Sequence, residues 1–88
     1  MAPVDSVAFQ VRVNGKLAEE IGSSRLSVQL QKSPILIRDI LNAMKKKYPD
    51  SSITIQEAIP FVSGNHRGIG DEVVPGQEVT LLMPAAGG

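Results

Sequence analysis

The 88-residue sequence carries nine basic and nine acidic side chains, one histidine and no cysteine. That length holds one compact core rather than two, because independent cores need on the order of 50 residues or more each. Zero formal net charge removes the long-range field that draws a protein onto nucleic acid or an anionic membrane, and the absence of cysteine excludes disulfides, thiolate metal sites and thiol nucleophiles.

Phe9, Tyr48 and Phe61 are the only aromatic residues, so the interior is aliphatic and offers no platform for stacking nucleobases. Met1 to Ser6 shows no basic cluster followed by an apolar run, and no stretch is long and apolar enough to cross a bilayer. These features predict a cytoplasmic protein that finds its partners through a local surface.

In chain order, Val7, Phe9, Val11 and Val13 alternate with Ala8, Gln10 and Arg12, the period-2 pattern of a strand with one buried face. Asn14-Gly15 follows, and both residue types tolerate the positive φ of a tight hairpin turn. The returning strand is expected at Arg25 to Gln31, where Leu26, Val28 and Leu30 alternate with Ser27 and Gln29. Lys16 to Ser24 then forms a wide connection.

The period changes after Pro34. Ile37, Ile40, Leu41, Met44 and Tyr48 fall on one helical face. Asp39 near its start and Lys45, Lys46 and Lys47 at its end suit the helix dipole, and Pro49 ends it. Ile35 and Leu36 fit either a first helical turn or an extended entry. Ser51 to Ala58 has mixed periodicity with room for a short helical turn. Ile59 to Ser63 suggests a short strand, Asn65 to Gly70 an exposed loop, Pro75-Gly76 a turn, and Val79, Leu81 and Met83 a last strand alternating with Thr80 and Leu82.

The order ββαββ, with a right-handed crossover through the helix, predicts an α+β protein: a mixed sheet packed on one helix in the β-grasp arrangement. The predicted division is a domain over 1–83 and a tail over 84–88. The sheet face away from the helix is left to carry a partner.

The tail Pro84-Ala85-Ala86-Gly87-Gly88 has no charged side chain and nothing larger than alanine beyond the proline. Gly87 and Gly88 lack Cβ atoms and pass where other residues clash, and four extended residues from Ala85 reach about 13 Å. Pro84 cannot donate a ladder hydrogen bond and releases the tail from the sheet. Domain ends are often mere frayed chain, yet two final glycines occur by chance in about 0.5% of chains at ordinary glycine usage.

The ending Glu78-Val79-Thr80-Leu81-Leu82-Met83-Pro84-Ala85-Ala86-Gly87-Gly88, preceded by Pro75-Gly76, resembles the C-terminus of the molybdopterin synthase small subunit family. The helix from Ile37 through Lys47-Tyr48-Pro49 is similar to that family's central helix and its closing Tyr-Pro. Met83-Pro84 stands where the family often has two prolines, and the segment from Asn65 to Gly70 also departs from its pattern.

The resemblance implies a ubiquitin-like β-grasp sulfur carrier. By it, an enzyme of the ubiquitin-activating type, an adenylyltransferase and sulfurtransferase, uses ATP to adenylate the Gly88 carboxylate, and sulfur replaces AMP to give a thiocarboxylate. A large subunit of molybdopterin synthase then receives the tail, and the sulfur passes to a pterin precursor of molybdenum cofactor. Gly88 is the reacting residue, and Leu82, Met83, Pro84, Ala85, Ala86 and Gly87 are the partner-binding stretch. The chain itself binds no cofactor or metal and is not catalytic alone. Protein modifiers, and sulfur carriers for tRNA thiolation or thiamin synthesis, share the diglycine and fold and stand as the alternative.

The remaining polar features are assigned no site. The lysine run reads as a solvated helix end. His66 has no neighbouring ligand type, Gly68 and Gly70 lack the strand-to-helix context of a phosphate loop, and Asp71-Glu72 reads as an exposed acidic pair.

Overall fold

The computed structural model describes residues 7–31 and 34–84. The elements, in chain order, are β1 (Val7–Val13), α1 (Gly15–Ile21), β2 (Arg25–Leu30), β3 (Ile35–Leu36), α2 (Ile37–Lys47), α3 (Ser52–Glu57), β4 (Ile59–Val62), β5 (Asn65–His66), β6 (Glu72–Val73) and β7 (Val79–Leu82). A five-stranded sheet runs β2-β1-β7-β4-β5, and β3 pairs with β6 in a second, two-stranded sheet. β1 is antiparallel to β2 and parallel to β7, while β4 is antiparallel to both β7 and β5. This mixed sheet under a crossing helix is the ubiquitin-like β-grasp.

The core forms where the two periodicities meet. Phe9, Val11 and Val13 of β1, with Val79 and Leu81 of β7, pack in one cluster with Ile37, Ile40, Leu41 and Met44 of α2. The outward parity of β1, Ala8, Gln10 and Arg12, is exposed. Burial of each such aliphatic side chain stabilises the fold by about 1.5 to 3 kcal/mol.

Two features differ from the sequence-based expectation, and one choice it left open is decided. Asn14-Gly15 is no hairpin turn. Gly15 takes φ +56° and opens α1, which drives Leu17 fully into the core and rests Ala18 and Ile21 against it. Gly22, at φ +86°, ends this helix by donating its N–H to the Ala18 carbonyl, a left-handed C-terminal cap. The two-residue hairpin turn lies instead at Ser63-Gly64, where both residues have positive φ, 54° and 79°, and join β4 to β5 in register Val62 to Asn65. The sheet therefore packs on three helices rather than one, α3 contributing Ile55 to the core.

The choice left open was at the start of α2. Ile35 and Leu36 are extended and pair with Val73 and Glu72. The second difference is the segment Asn65 to Gly70, expected as an exposed loop: it is largely exposed, but Asn65–His66 form β5, and the loop that follows has a structural duty. Its carbonyls satisfy the first backbone donors of α2: Ile37 N–H donates to the Asp71 carbonyl and Arg38 N–H to that of Ile69, both at 2.9 Å. Asp71 also accepts the Gly68 N–H at 2.7 Å, so it shapes the loop rather than standing as a free acid. Asp39 reaches back to accept the Leu36 N–H at 2.8 Å.

The Pro75-Gly76 turn is as expected. Gly76 has φ +97° and the Gln77 N–H closes onto the Val74 carbonyl at 3.1 Å, the type II geometry that requires glycine at its third position. Among the described residues no helix is long and apolar enough to cross a membrane.

Candidate functional site

The candidate site is the place where the chain leaves the sheet. β7 is an interior strand, flanked by β1 and β4, and its burial alternates strictly: Val79 and Leu81 point into the core and are fully buried, while Thr80 and Leu82 are half-buried on the other face. An interior strand paired on both sides is held more firmly than an edge, so Met83 and Pro84 leave β7 from a firmly held point.

Leu82 and Met83, grouped together in the sequence as partner-binding candidates, fall on opposite sides. Leu82 lies across from Ile59 of β4 and shares the open face with it and with Phe61, which is two residues along the same strand. All three are half-buried, and the Phe61 ring tilts against the His66 imidazole with centroids 5.6 Å apart. His66 thus contributes to an aromatic contact, not to a ligand set. Met83 instead packs against the core cluster. Its backbone N–H donates to the Asn14 side-chain oxygen at 3.2 Å, and its Cβ and Cγ lie 3.6 Å from where a Cβ on Gly15 would stand.

Asn14 is the site residue that sequence reasoning missed. Its Oδ1 does not cap α1, although it precedes that helix. It is spent on Met83, 69 positions away, and no local pattern could have signalled this. The parallel register Val13 to Leu81 brings the two chain segments side by side just past the end of the ladder.

Pro84 is exposed, and β7 ends before it, as its missing donor requires. Ala85, Ala86, Gly87 and Gly88 lie outside the described residues, so the carboxylate-bearing part of the predicted site carries no geometry. Arg12 on β1 and Glu78 just before β7 approach to 4.0 Å, with both side chains more than two-fifths exposed, an arrangement contributing little to stability. Among the described residues no group of His, Cys, Asp or Glu is placed to hold a metal.

The Glu20 carboxylate is perturbed. The Ser51 hydroxyl first, then the Thr54 hydroxyl and Lys16, hold the Glu20 carboxyl below the ordinary carboxylate range. Thr54 donates to it at 3.0 Å. Ser51 and Thr54 are buried, so this acid satisfies their hydroxyls and ties α1 to α3, a structural duty.

The lysine run is also more engaged than a solvated helix end. Lys45 bonds the Gln56 side chain, and Lys47 donates to the Ser27 carbonyl of β2 at 3.0 Å while lying 5.7 Å from the Tyr48 ring centroid.

No protein-family model matches the chain, and no curated protein sequence matches it. Solved structures do. Small archaeal modifier protein 1 of Haloferax volcanii superposes with a TM-score of 0.81 at 20% identity, covering 92% of this chain and 99% of its own. The protein of the same name from Methanosarcina acetivorans gives 0.76 at 19% identity, covering 94% and 98%. A putative molybdopterin converting factor subunit 1 from Pyrococcus furiosus gives 0.73 at 16% identity, covering 90% and 99%. At these identities the likeness is one of fold, end to end: the chain has the ubiquitin-like β-grasp architecture of these small proteins.

Proposed function

We propose that this chain is a ubiquitin-like carrier that works through its own C-terminal glycine, and that its cargo is sulfur. The observation that carries this is the pairing of a diglycine ending with a β-grasp whose interior strand β7 terminates four residues before Ala86 and is latched at Met83 by Asn14. A narrow tail sequence without charged side chains suits insertion into another protein's active centre, where a displacement of even about 0.5 Å matters.

A free carboxylate is a poor electrophile, so the Gly88 carboxylate is first joined to the α-phosphate of ATP by an activating partner, with loss of pyrophosphate. A sulfur nucleophile then displaces AMP and leaves a thiocarboxylate. The nucleotide site and the catalytic side chains belong to that partner. The half-buried Leu82, Ile59 and Phe61 on the open sheet face form the natural contact for it and for a receiving large subunit, since apolar groups beside the tail register the docked chain without relying on net charge. In the finer form of this proposal the acceptor is a pterin precursor of molybdenum cofactor, as the sequence resemblance implies and the likeness to a putative molybdopterin converting factor subunit supports.

A second proposal rests on the likeness to two archaeal modifier proteins: the same activated glycine is attacked by a lysine amine of a target protein, giving an isopeptide and AMP. Incubation with an activating enzyme, ATP and a sulfur donor, followed by intact-mass analysis, separates the two. Replacement of one oxygen by sulfur supports the carrier, and transfer to lysine-bearing protein supports the modifier. Neither product, from an enzyme active on its own substrate, overturns both.

A further inference from the structure

The dipeptide Asn14-Gly15 carries a covalent reactivity of its own that the carrier chemistry leaves unused. Asparagine is a thermally labile residue, because the backbone nitrogen that follows it can attack its side-chain amide and close a five-membered ring. Glycine in second place leaves that nitrogen unshielded, having no Cβ. Position 15 has a separate need for glycine, since its φ of +56° lies in the left-handed region, and so the fold keeps the reactive pair together. Asn14 is exposed. Gly15 is the first residue of α1, where no helical carbonyl lies behind it, and its N–H has no acceptor among the described residues.

Two features of the structure hold the reaction back. Asn14 has φ −145° and ψ 178°, an extended backbone that keeps its Cγ staggered away from the Gly15 nitrogen, whereas ring closure needs the two nearly eclipsed about the Cα–C bond. Its Oδ1 is also held by the Met83 N–H at 3.2 Å, so the side chain stays away from that nitrogen while the bond is made. Met83 is the first residue past β7. The restraint on Asn14 therefore lies in the last segment of the chain.

We propose that Asn14 is a site of spontaneous deamidation, gated by its hydrogen bond to Met83. The Gly15 nitrogen forms a bond to Asn14 Cγ and gives up its proton, the bond from Cγ to the side-chain nitrogen breaks, and ammonia leaves with that proton. Water then opens the succinimide at either carbonyl and leaves aspartate or isoaspartate, with no oxidant or reductant involved. A partner that draws Met83 away from Asn14 releases the reaction, and one that leaves the bond in place does not. The aspartate product still accepts the Met83 N–H, now in a charge-assisted bond, and puts a negative charge on a chain of zero formal net charge. Isoaspartate instead adds a methylene to the main chain between β1 and α1. Either product changes the ground from which Met83 and Pro84 leave the sheet. Modification at Asn14 is independent of the fate of Gly88.

The test ages the full-length protein at mildly alkaline pH, where the attacking amide loses its proton more readily, and follows each asparagine by proteolysis and mass spectrometry. Asn42 and Asn65 are exposed but followed by alanine and histidine, which makes them internal controls. Expected are conversion at Asn14 ahead of both, isoaspartate among the products, and faster conversion at Asn14 in denaturant. Met83→Pro removes the donor and Met83→Ala keeps it, while both replace the long side chain. Met83→Pro alone should therefore speed the reaction at Asn14, by about two- to tenfold, the factor that goes with one net hydrogen bond. Conversion at Asn14 no faster than at the controls, or aspartate without isoaspartate, overturns the site. Equal rates in folded Met83→Pro and Met83→Ala overturn the gate, and should Met83→Pro not fold, equal rates in native and denatured wild type do the same.

Discussion

The side-chain oxygen of Asn14 accepts the backbone N–H of Met83 at 3.2 Å, joining the end of the first strand to the last step before the tail. The bond replaces the ladder that stops at Leu82 and sets the direction in which the chain leaves the domain. Asn14→Ala should cost about 0.5 to 1.5 kcal/mol, the net value of one hydrogen bond. The distinguishing measurement is amide exchange: Met83 should lose protection by more than Leu81, whose pairing within the sheet is untouched. Equal loss along all of β7 would mean that Asn14 supports the strand rather than the exit.

Ile40 of α2 is fully buried and Ile53 of α3 is 78% exposed. Truncating each to alanine in turn compares the same side chain in core and solvent. Ile40→Ala should destabilise by about 2 to 5 kcal/mol, and Ile53→Ala by less than about 0.5 kcal/mol. Chemical denaturation checks both, and a similar cost at the two positions would contradict the packing of α2 on the sheet.

Glu20 makes stability depend on pH. Its carboxyl is held low in the folded protein by Ser51, Thr54 and Lys16, so the unfolded chain takes up this proton first as pH falls. The stabilisation is complete above the ordinary carboxylate range and is lost as pH drops through the folded value. Glu20→Gln should therefore flatten the fall in melting temperature on the acid side of that range while lowering stability at neutral pH. An unchanged acid-side slope would remove Glu20 from the account.

Removing the acceptor Asp71 should loosen the loop that caps α2. Asp71→Ala deletes the bond to Gly68 N–H but keeps the backbone carbonyl that receives Ile37 N–H. A loss of about 0.5 to 1.5 kcal/mol is expected, with faster amide exchange at Ile37 and Arg38. Unaltered exchange there would show that the loop holds its shape without the carboxylate.

At the proposed working end, Gly87→Val should abolish thiolation by an activating enzyme while leaving the melting temperature unchanged, because a β-branched side chain cannot follow a path shaped for glycine. Deleting Gly88 withdraws the carboxylate by up to about 3.6 Å and should do the same. Leu82→Asp should weaken partner binding, by calorimetry on folded protein, more than charge reversal at Lys46. The reverse ranking would move the docking surface away from the open sheet face.

The strands β1, β2 and β7, the stripe of α2 and the Pro75-Gly76 turn were legible because each is written in neighbouring residues: period 2 in Val7 to Val13, a helical face from Ile37 to Met44, and a glycine where φ must be positive. The diglycine ending was legible for the same reason. α1 was not, since seven residues are too few for periodicity to outweigh a hairpin-like Asn-Gly, and a helix that short is stable only because Leu17 is buried beneath it. The pairing of β3 with β6, the capping of α2 by the 67–71 loop and the latch from Asn14 to Met83 join residues far apart in the chain. Nothing in a local window encodes them. They exist because the parallel pairing of β1 with β7 and the crossover through α2 bring distant segments within hydrogen-bonding reach, and tertiary packing alone decides which donors and acceptors then meet.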